Sequence, residues 1–224
     1  MPSSRNAKLK NFYNTELGRY LHKSLIEEIY RYWPDIEGKN LLELGHKNIY
    51  SDKINVKNKL YISPTDFIKN KIPKENSFDK ILVVHCLEYL NDIQSMLQTL
   101  WNILTPEGKL LIIVPNRYSV LPVANINIFK KAKLFTLYEI INLLNDNHFL
   151  TIKSSSRVFL TLNFYKNFPT ISNFFDHVGS KWFIPFGTFL IIEAKKTTYA
   201  PILKVSPFVK PMSYSARVSN FKQI

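Results

Sequence analysis

The forty residues from Ser77 to Asn116 constrain this chain more than any others. Phe78 to Val84 is a short, β-branched apolar run that gives way to His85, Cys86, Leu87, Glu88 and Tyr89. A continuous apolar run of that length predicts a strand buried on both faces, with polar side chains carried into a crevice at its carboxyl end. Asn91 and Asp92 open a helix, since Ile93, Met96, Leu97, Leu100, Trp101 and Leu104 recur at helical spacing, and Pro106-Glu107-Gly108 closes it. A second apolar run, Lys109 to Val114, ends at Pro115-Asn116-Arg117. Strand, helix, tight turn and strand make a right-handed crossover, which brings both strand ends to the same edge of an open sheet.

The flanking sequence supports an α/β domain. Leu17, Leu21, Leu25, Ile26 and Ile29 form one face of a predicted helix over residues 15–32, with Glu27 and Glu28 on another. Trp33-Pro34 ends it, because proline disfavours helical backbone in the residue before it. Residues 39–44 read as the first strand and 60–63 as the end of a second. Thr136 and Glu139 make a capping box for a helix over 135–145. Residues 157–169 and 181–194 read as an edge pair of strands. Residues 1–10 read as a polar, flexible leader, and from Pro201 the apolar period is lost, which predicts a disordered or loosely docked tail. Length favours one domain, at 11–200.

These stretches resemble class I S-adenosylmethionine-dependent methyltransferases. In that family the fourth strand reads Ser-Phe-Asp, then apolar residues, then a Leu-Glu-His-like end. A Leu-x-Pro-Gly-Gly-x-Leu turn precedes the next strand. Ser77–Tyr89 and Leu104–Leu110 match, with Glu107 in place of the first glycine. One bacterial branch of the family, the type 11 methyltransferases, fits more closely. The matching residues are Asn11-Phe12-Tyr13 with Leu17-Gly18-Arg19, Tyr32 to Asp35, Val84 to Glu88, Val114 to Arg117, and Ile192 to Lys196. The resemblance implies a Rossmann-like open, mostly parallel sheet with helices on both faces and an antiparallel carboxyl-terminal edge. It also implies S-adenosylmethionine as cofactor, an unidentified methyl acceptor as partner, and methylation as the activity.

Carried over residue by residue, the family's cofactor turn falls on Glu43-Leu44-Gly45-His46. Lys47 and Ile49 stand where further glycines are common. Backbone at such a turn passes close to the ligand, so a side chain there collides with it. The acidic residue that usually holds the ribose diol is replaced by Ser63, with Asp66 three residues on; a carboxylate suits that task because it accepts from both hydroxyls. The interval from Gly45 to Ser77 is short for the family and implies a lost helix or strand. The resemblance thus names Glu43, Gly45, His46, Ser63 and Asp66 as the cofactor set and His85 as the residue facing the acceptor. His85 orients the acceptor or takes a proton from it, its ordinary titration range lying near working pH; capping of the strand end is the competing reading. Glu88 reads equally as a first-turn carboxylate favoured by the dipole of the following helix.

Composition bounds the rest. The formal charge of +13 favours a polyanionic partner, and nucleic acid met through a basic surface is one reading. The lysines are dispersed, with Lys130, Lys131 and Lys133 the densest group, so an A/T-rich coding sequence is the other. No apolar run approaches the roughly 20 residues of a membrane span. A single cysteine, Cys86, excludes an internal disulfide framework and fits the cytoplasm. Beside His85 it invites a thiol nucleophile, but strand neighbours point to opposite faces, which favours a core thiol. The histidines lack metal-ligand spacing, and no metal is expected. The late aromatics, Phe159 to Phe189, suit packing better than a base-stacking platform. Two alternatives to an enzyme remain: a catalytically silent binding or assembly protein of the same fold, and an RNA-binding protein.

Overall fold

The computed structural model describes residues 11–45, 50, 54–68, 73–119, 129, 130, 132–157 and 187–197. The predicted leader, the tail, His46, Lys47, Ile49 and most of the late aromatics lie outside this set. The elements, in chain order, are α1 (Glu16–Tyr32), β1 (Asn40–Leu44), β2 (Asn58–Ile62), α2 (Pro64–Ile68), β3 (Phe78–Val84), α3 (Ile93–Ile103), β4 (Leu104–Pro115), α4 (Leu137–Asp146), β5 (Phe149–Arg157) and β6 (Phe189–Lys196). A helical turn at 11–14 precedes α1.

The strands form one sheet in the order β2-β1-β3-β4-β6-β5. The first four run parallel, while β6 is antiparallel to both β4 and β5. This is the expected α/β, Rossmann-like architecture with an antiparallel carboxyl-terminal edge. Alternate residues feed two cores. Leu42, Ile81, Val83, Leu110, Ile112 and Ile192 face α3 and α4. Leu41, Leu82, Leu111, Ile113 and Ile191 face Leu21, Leu25 and Ile29 of α1. Helices therefore cover both faces, as near-continuous apolar strands require.

Caps fix the helix limits. Asp92 accepts from the Ser95 amide at the start of α3. Thr136 and Glu139 form the reciprocal capping box foreseen for α4. The strand β4 begins directly after α3, and Pro106 to Gly108 bulge out of its ladder: Phe78 pairs with Leu104, but Lys80 pairs with Lys109.

Three expectations need correction. The outer edge strand among the described residues is Phe149–Arg157, paired with Phe189–Lys196, so the pair begins earlier than the 157–169 assigned from sequence; 158–169 and 181–186 lie outside the described residues. Glu28, placed with Glu27 on a face away from the apolar stripe, is buried, because it pairs with Arg157 and accepts from Ser155 on β5. Glu88 lies in a separate 3-10 turn, Leu87–Tyr89, ahead of the Asp92 cap, so it is not a first-turn residue of α3. Cys86 is buried in the core, as read.

Candidate active site

Strand register assembles the site. Leu44 lies opposite both Ile62 and Val83, so Gly45, Ser63 and the Val84–His85 step leave three adjacent parallel strands at the same edge. Neighbouring strands are about 4.8 Å apart, which puts these three positions within reach of one small ligand. Crevices at the carboxyl ends of parallel strands are where such sheets bind ligands.

Gly45 serves the sheet itself. It has φ +149°, and a Cβ built there falls 2.0 Å from the Val84 carbonyl oxygen. Only glycine lets β1 leave the sheet this close to β3. The Gly45 carbonyl accepts from the Tyr61 hydroxyl at 3.2 Å. Glu43 is buried, and its carboxylate accepts from the Tyr50 amide at 3.4 Å, reaching across the turn. Ser63 caps α2: its hydroxyl accepts from the Asp66 amide and donates to the Asp66 carboxylate at 2.7 Å. The two residues are thus one unit, which holds a carboxylate at the end of β2.

His85 stands at the end of β3 with φ +51°, a left-handed turn that histidine adopts more readily than most residues. It is 1% exposed. Its Nε2 is 2.5 Å from the Tyr13 hydroxyl, and its Nδ1 is 3.4 Å from Glu88 Oε1. The rings of Phe129 and Phe189 flank the imidazole with centroids 5.2 and 5.4 Å away. The Tyr13 hydroxyl also bonds the Tyr50 hydroxyl at 2.8 Å. Burial pushes both phenols well above their usual range; the Tyr50 hydrogen bond opposes this at Tyr13, while Glu88 and Glu43 add to it. Both hydroxyls therefore stay protonated at working pH.

Sequence reading thus found four residues that the fold brings to one edge, Gly45, Ser63, Asp66 and His85, with Glu43 just behind. It missed Tyr13 and Tyr50. Asn11-Phe12-Tyr13 is among the stretches that carry the resemblance, but nothing local ties it to this edge, because Tyr13 reaches His85 across 72 positions of sequence. At the next strand end, buried Asn116 donates to the Gly187 carbonyl and accepts from the Tyr118 amide, pinning the exit of β4 to the entry of β6. Among the described residues no cluster of metal-ligating side chains occurs.

Comparison with known proteins agrees with this geometry. Residues 42–112, from β1 into β4, match the family model described as a methyltransferase domain. No curated protein matches the chain significantly. Among solved structures, it resembles a possible histamine N-methyltransferase from Thermotoga maritima at 17% identity, with 85% of this chain and 99% of that one covered and a TM-score of 0.58. An S-adenosylmethionine-dependent methyltransferase from Archaeoglobus fulgidus aligns at 16% identity over 84% and 97%, with a TM-score of 0.54. Phosphoethanolamine N-methyltransferase 2 from Haemonchus contortus, solved with S-adenosyl-L-methionine, aligns at 14% identity over 86% and 60%, with a TM-score of 0.50. The fold is common to all three, and the family match spans the crossover that carries the site. Residues 42–112 thus match a methyltransferase-domain family, and the chain as a whole has the fold of S-adenosylmethionine-dependent methyltransferases.

Proposed function

We propose that this chain transfers a methyl group from S-adenosylmethionine to an acceptor bound at the carboxyl edge of the sheet. The observation that carries this reading is the register that aligns Gly45, Ser63 and His85 on three neighbouring strands. Glu43 and Gly45 would hold the amino-acid end of the cofactor, and Ser63 with Asp66 the ribose; His46, in the same turn, lies outside the described residues. The cofactor supplies a methyl group already activated on a sulfonium, so the protein's work is to orient the acceptor and exclude water. Buried His85, with Phe129 and Phe189 against it, is suited to both tasks at the acceptor side.

Lys47 and Ile49 in place of glycines argue for weak cofactor binding. Calorimetry with S-adenosylmethionine and S-adenosylhomocysteine at millimolar concentration is the test. Heat of binding and a raised melting temperature are expected. Absence of both would overturn the enzyme reading and favour a silent relative of the same fold. The basic composition leaves room for a nucleic-acid acceptor, which would show as RNA affinity falling steeply with salt. Among the described residues no helix is long and apolar enough to cross a membrane, and we place the protein in the cytoplasm.

A further inference from the structure

The Asn11-Phe12-Tyr13 and Leu17-Gly18-Arg19 segments take no part in the cofactor site, yet they are built to meet it. A Cβ on Gly18 would lie 2.0 Å from the Phe12 carbonyl oxygen and 2.6 Å from the Tyr13 Cα, so glycine alone lets the 11–14 turn lie flat on α1. Thr15 Oγ1 donates to the Phe12 carbonyl at 2.6 Å, and Arg19 donates to the Asn14 carbonyl at 2.5 Å. This strap carries the Tyr13 hydroxyl to His85 Nε2. Behind the imidazole, Glu88 is buried, and among the described residues neither carboxylate oxygen has a hydrogen-bond partner. Among the described residues its ion-pair partner is His85 Nδ1, at 3.4 Å.

A buried carboxylate without donors is costly, and a proton on the facing nitrogen relieves that cost. A proton on Nδ1 makes Nε2 the acceptor in neutral His85, and Tyr13 the donor to it. We propose that Glu88, His85 and Tyr13 form a proton relay for methyl transfer: the Tyr13 hydroxyl meets the acceptor, His85 is the base, and Glu88 is its positioning residue.

The relay rests on the methyl-transfer reading and narrows it. The acceptor's lone pair forms a bond to the methyl carbon while the carbon–sulfur bond breaks, its electrons remaining on sulfur. The acceptor's proton passes to the Tyr13 oxygen as the Tyr13 proton moves to Nε2. The positive charge lost at the sulfonium reappears on the imidazole, facing Glu88. Burial disfavours a phenolate at Tyr13, so the proton is handed through that oxygen rather than leaving charge on it. The acceptor class is an O–H or N–H nucleophile; a tertiary amine or thioether has no proton to give. The 3.4 Å gap to Glu88 suits a pair that tightens on ligand binding.

The test is nitrogen NMR on the full chain with labelled histidine, the His85 signals being assigned by their loss in His85→Asn. The groups facing His85 are Tyr13, Glu88, Phe129 and Phe189, with Tyr50, Glu43 and His22 one contact further out around Tyr13. The neutral ring should be the Nδ1–H tautomer. Tyr13→Phe should shift Nε2 while leaving that tautomer in place. Glu88→Gln should shift the Nδ1 signal, because the group facing that N–H changes from a carboxylate to an amide. If Glu88→Gln does not fold, the wild-type tautomer and the Tyr13→Phe shift decide. Calorimetry with S-adenosylhomocysteine on the wild type is run alongside. No heat overturns the methyl-transfer reading and the relay's task with it; heat with an Nε2–H tautomer, an unmoved Nε2 in Tyr13→Phe, or an unmoved Nδ1 in Glu88→Gln overturns the relay alone.

Discussion

Replacing Gly45 with alanine should unfold much of what the site depends on, before any ligand is considered. The new Cβ would sit 2.0 Å from Val84 O and 3.1 Å from Val84 C. Neither atom is free to retreat, because Val84 pairs with Ile113 of β4, and its neighbour Val83 pairs with Leu44 of β1. A non-glycine residue held at φ +149° adds about 1–3 kcal/mol of backbone strain. Forcing a methyl group into filled space adds about 1–3 kcal/mol more. The sum, about 2–6 kcal/mol, is a large part of the roughly 5–15 kcal/mol that holds a domain folded. In a chain of this size it lowers the melting temperature by roughly 5 to 20 °C. Thermal melts followed by circular dichroism measure this directly. A drop of less than about 2 °C, which corresponds to under one kcal/mol, would refute the packing argument. Glycine would then be required only by the ligand, and cofactor affinity would fall in a fully stable variant.

Glu28 and Glu139 offer two further tests. Glu28→Gln leaves the buried Arg157 guanidinium without its counter-charge and should cost about 3–5 kcal/mol in urea unfolding; a loss below about 1 kcal/mol would mean that the pair is solvated. Desolvation resists ionisation of Glu139, but the Thr136 amide and the Arg117 guanidinium outweigh it and hold its carboxyl below the usual 4.5. A lowered folded value gives stability that is present above pH 4.5 and lost as pH falls through the folded value. Glu139→Gln should therefore cost about 0.5 kcal/mol at neutral pH, modest because the carboxylate is 40% exposed, and nothing at strongly acid pH. An equal cost at both pH values would exclude a role for the charge.

What the sequence discloses follows the range of the forces involved. The β3-α3-β4 crossover is legible because its strand runs, its Asp92 cap and its helical spacing are all local. The capping box of Thr136 and Glu139 is legible for the same reason. The edge strand β5 is not, since Ser154-Ser155-Ser156 has little strand propensity and is held in part by Tyr32 and Glu28 reaching over from α1. His85 is readable as a strand end, but its burial under Tyr13 depends on a strap that Gly18 lays down, and that strap is visible only in three dimensions. Between β1 and β3, where the short interval implied a lost helix or strand, the described residues hold one strand, β2, and the short α2.

The bonds that join α1 to the antiparallel edge also set an order of events in synthesis. Trp33 donates to Glu193 across 160 positions, and Glu28 meets Arg157 across 129. The apolar stripe of α1 finds Leu41, Leu82 and Leu111 early, but sealing it down also seals in the Glu28 carboxylate, which has only the half-exposed Arg31 of its own helix as a counter-ion until the buried Arg157 has been made. At translation rates of about 5–20 residues per second, the stretch from α1 to β6 takes roughly 10 to 35 s to emerge. During that time the first helix lacks the Arg157, Ser155 and Glu193 partners that complete its docking. Completion of β5 and β6 and closure of the strap that brings Tyr13 to His85 thus become one late, cooperative step, so a nascent chain lacks an assembled site until the sheet's last strand is in place.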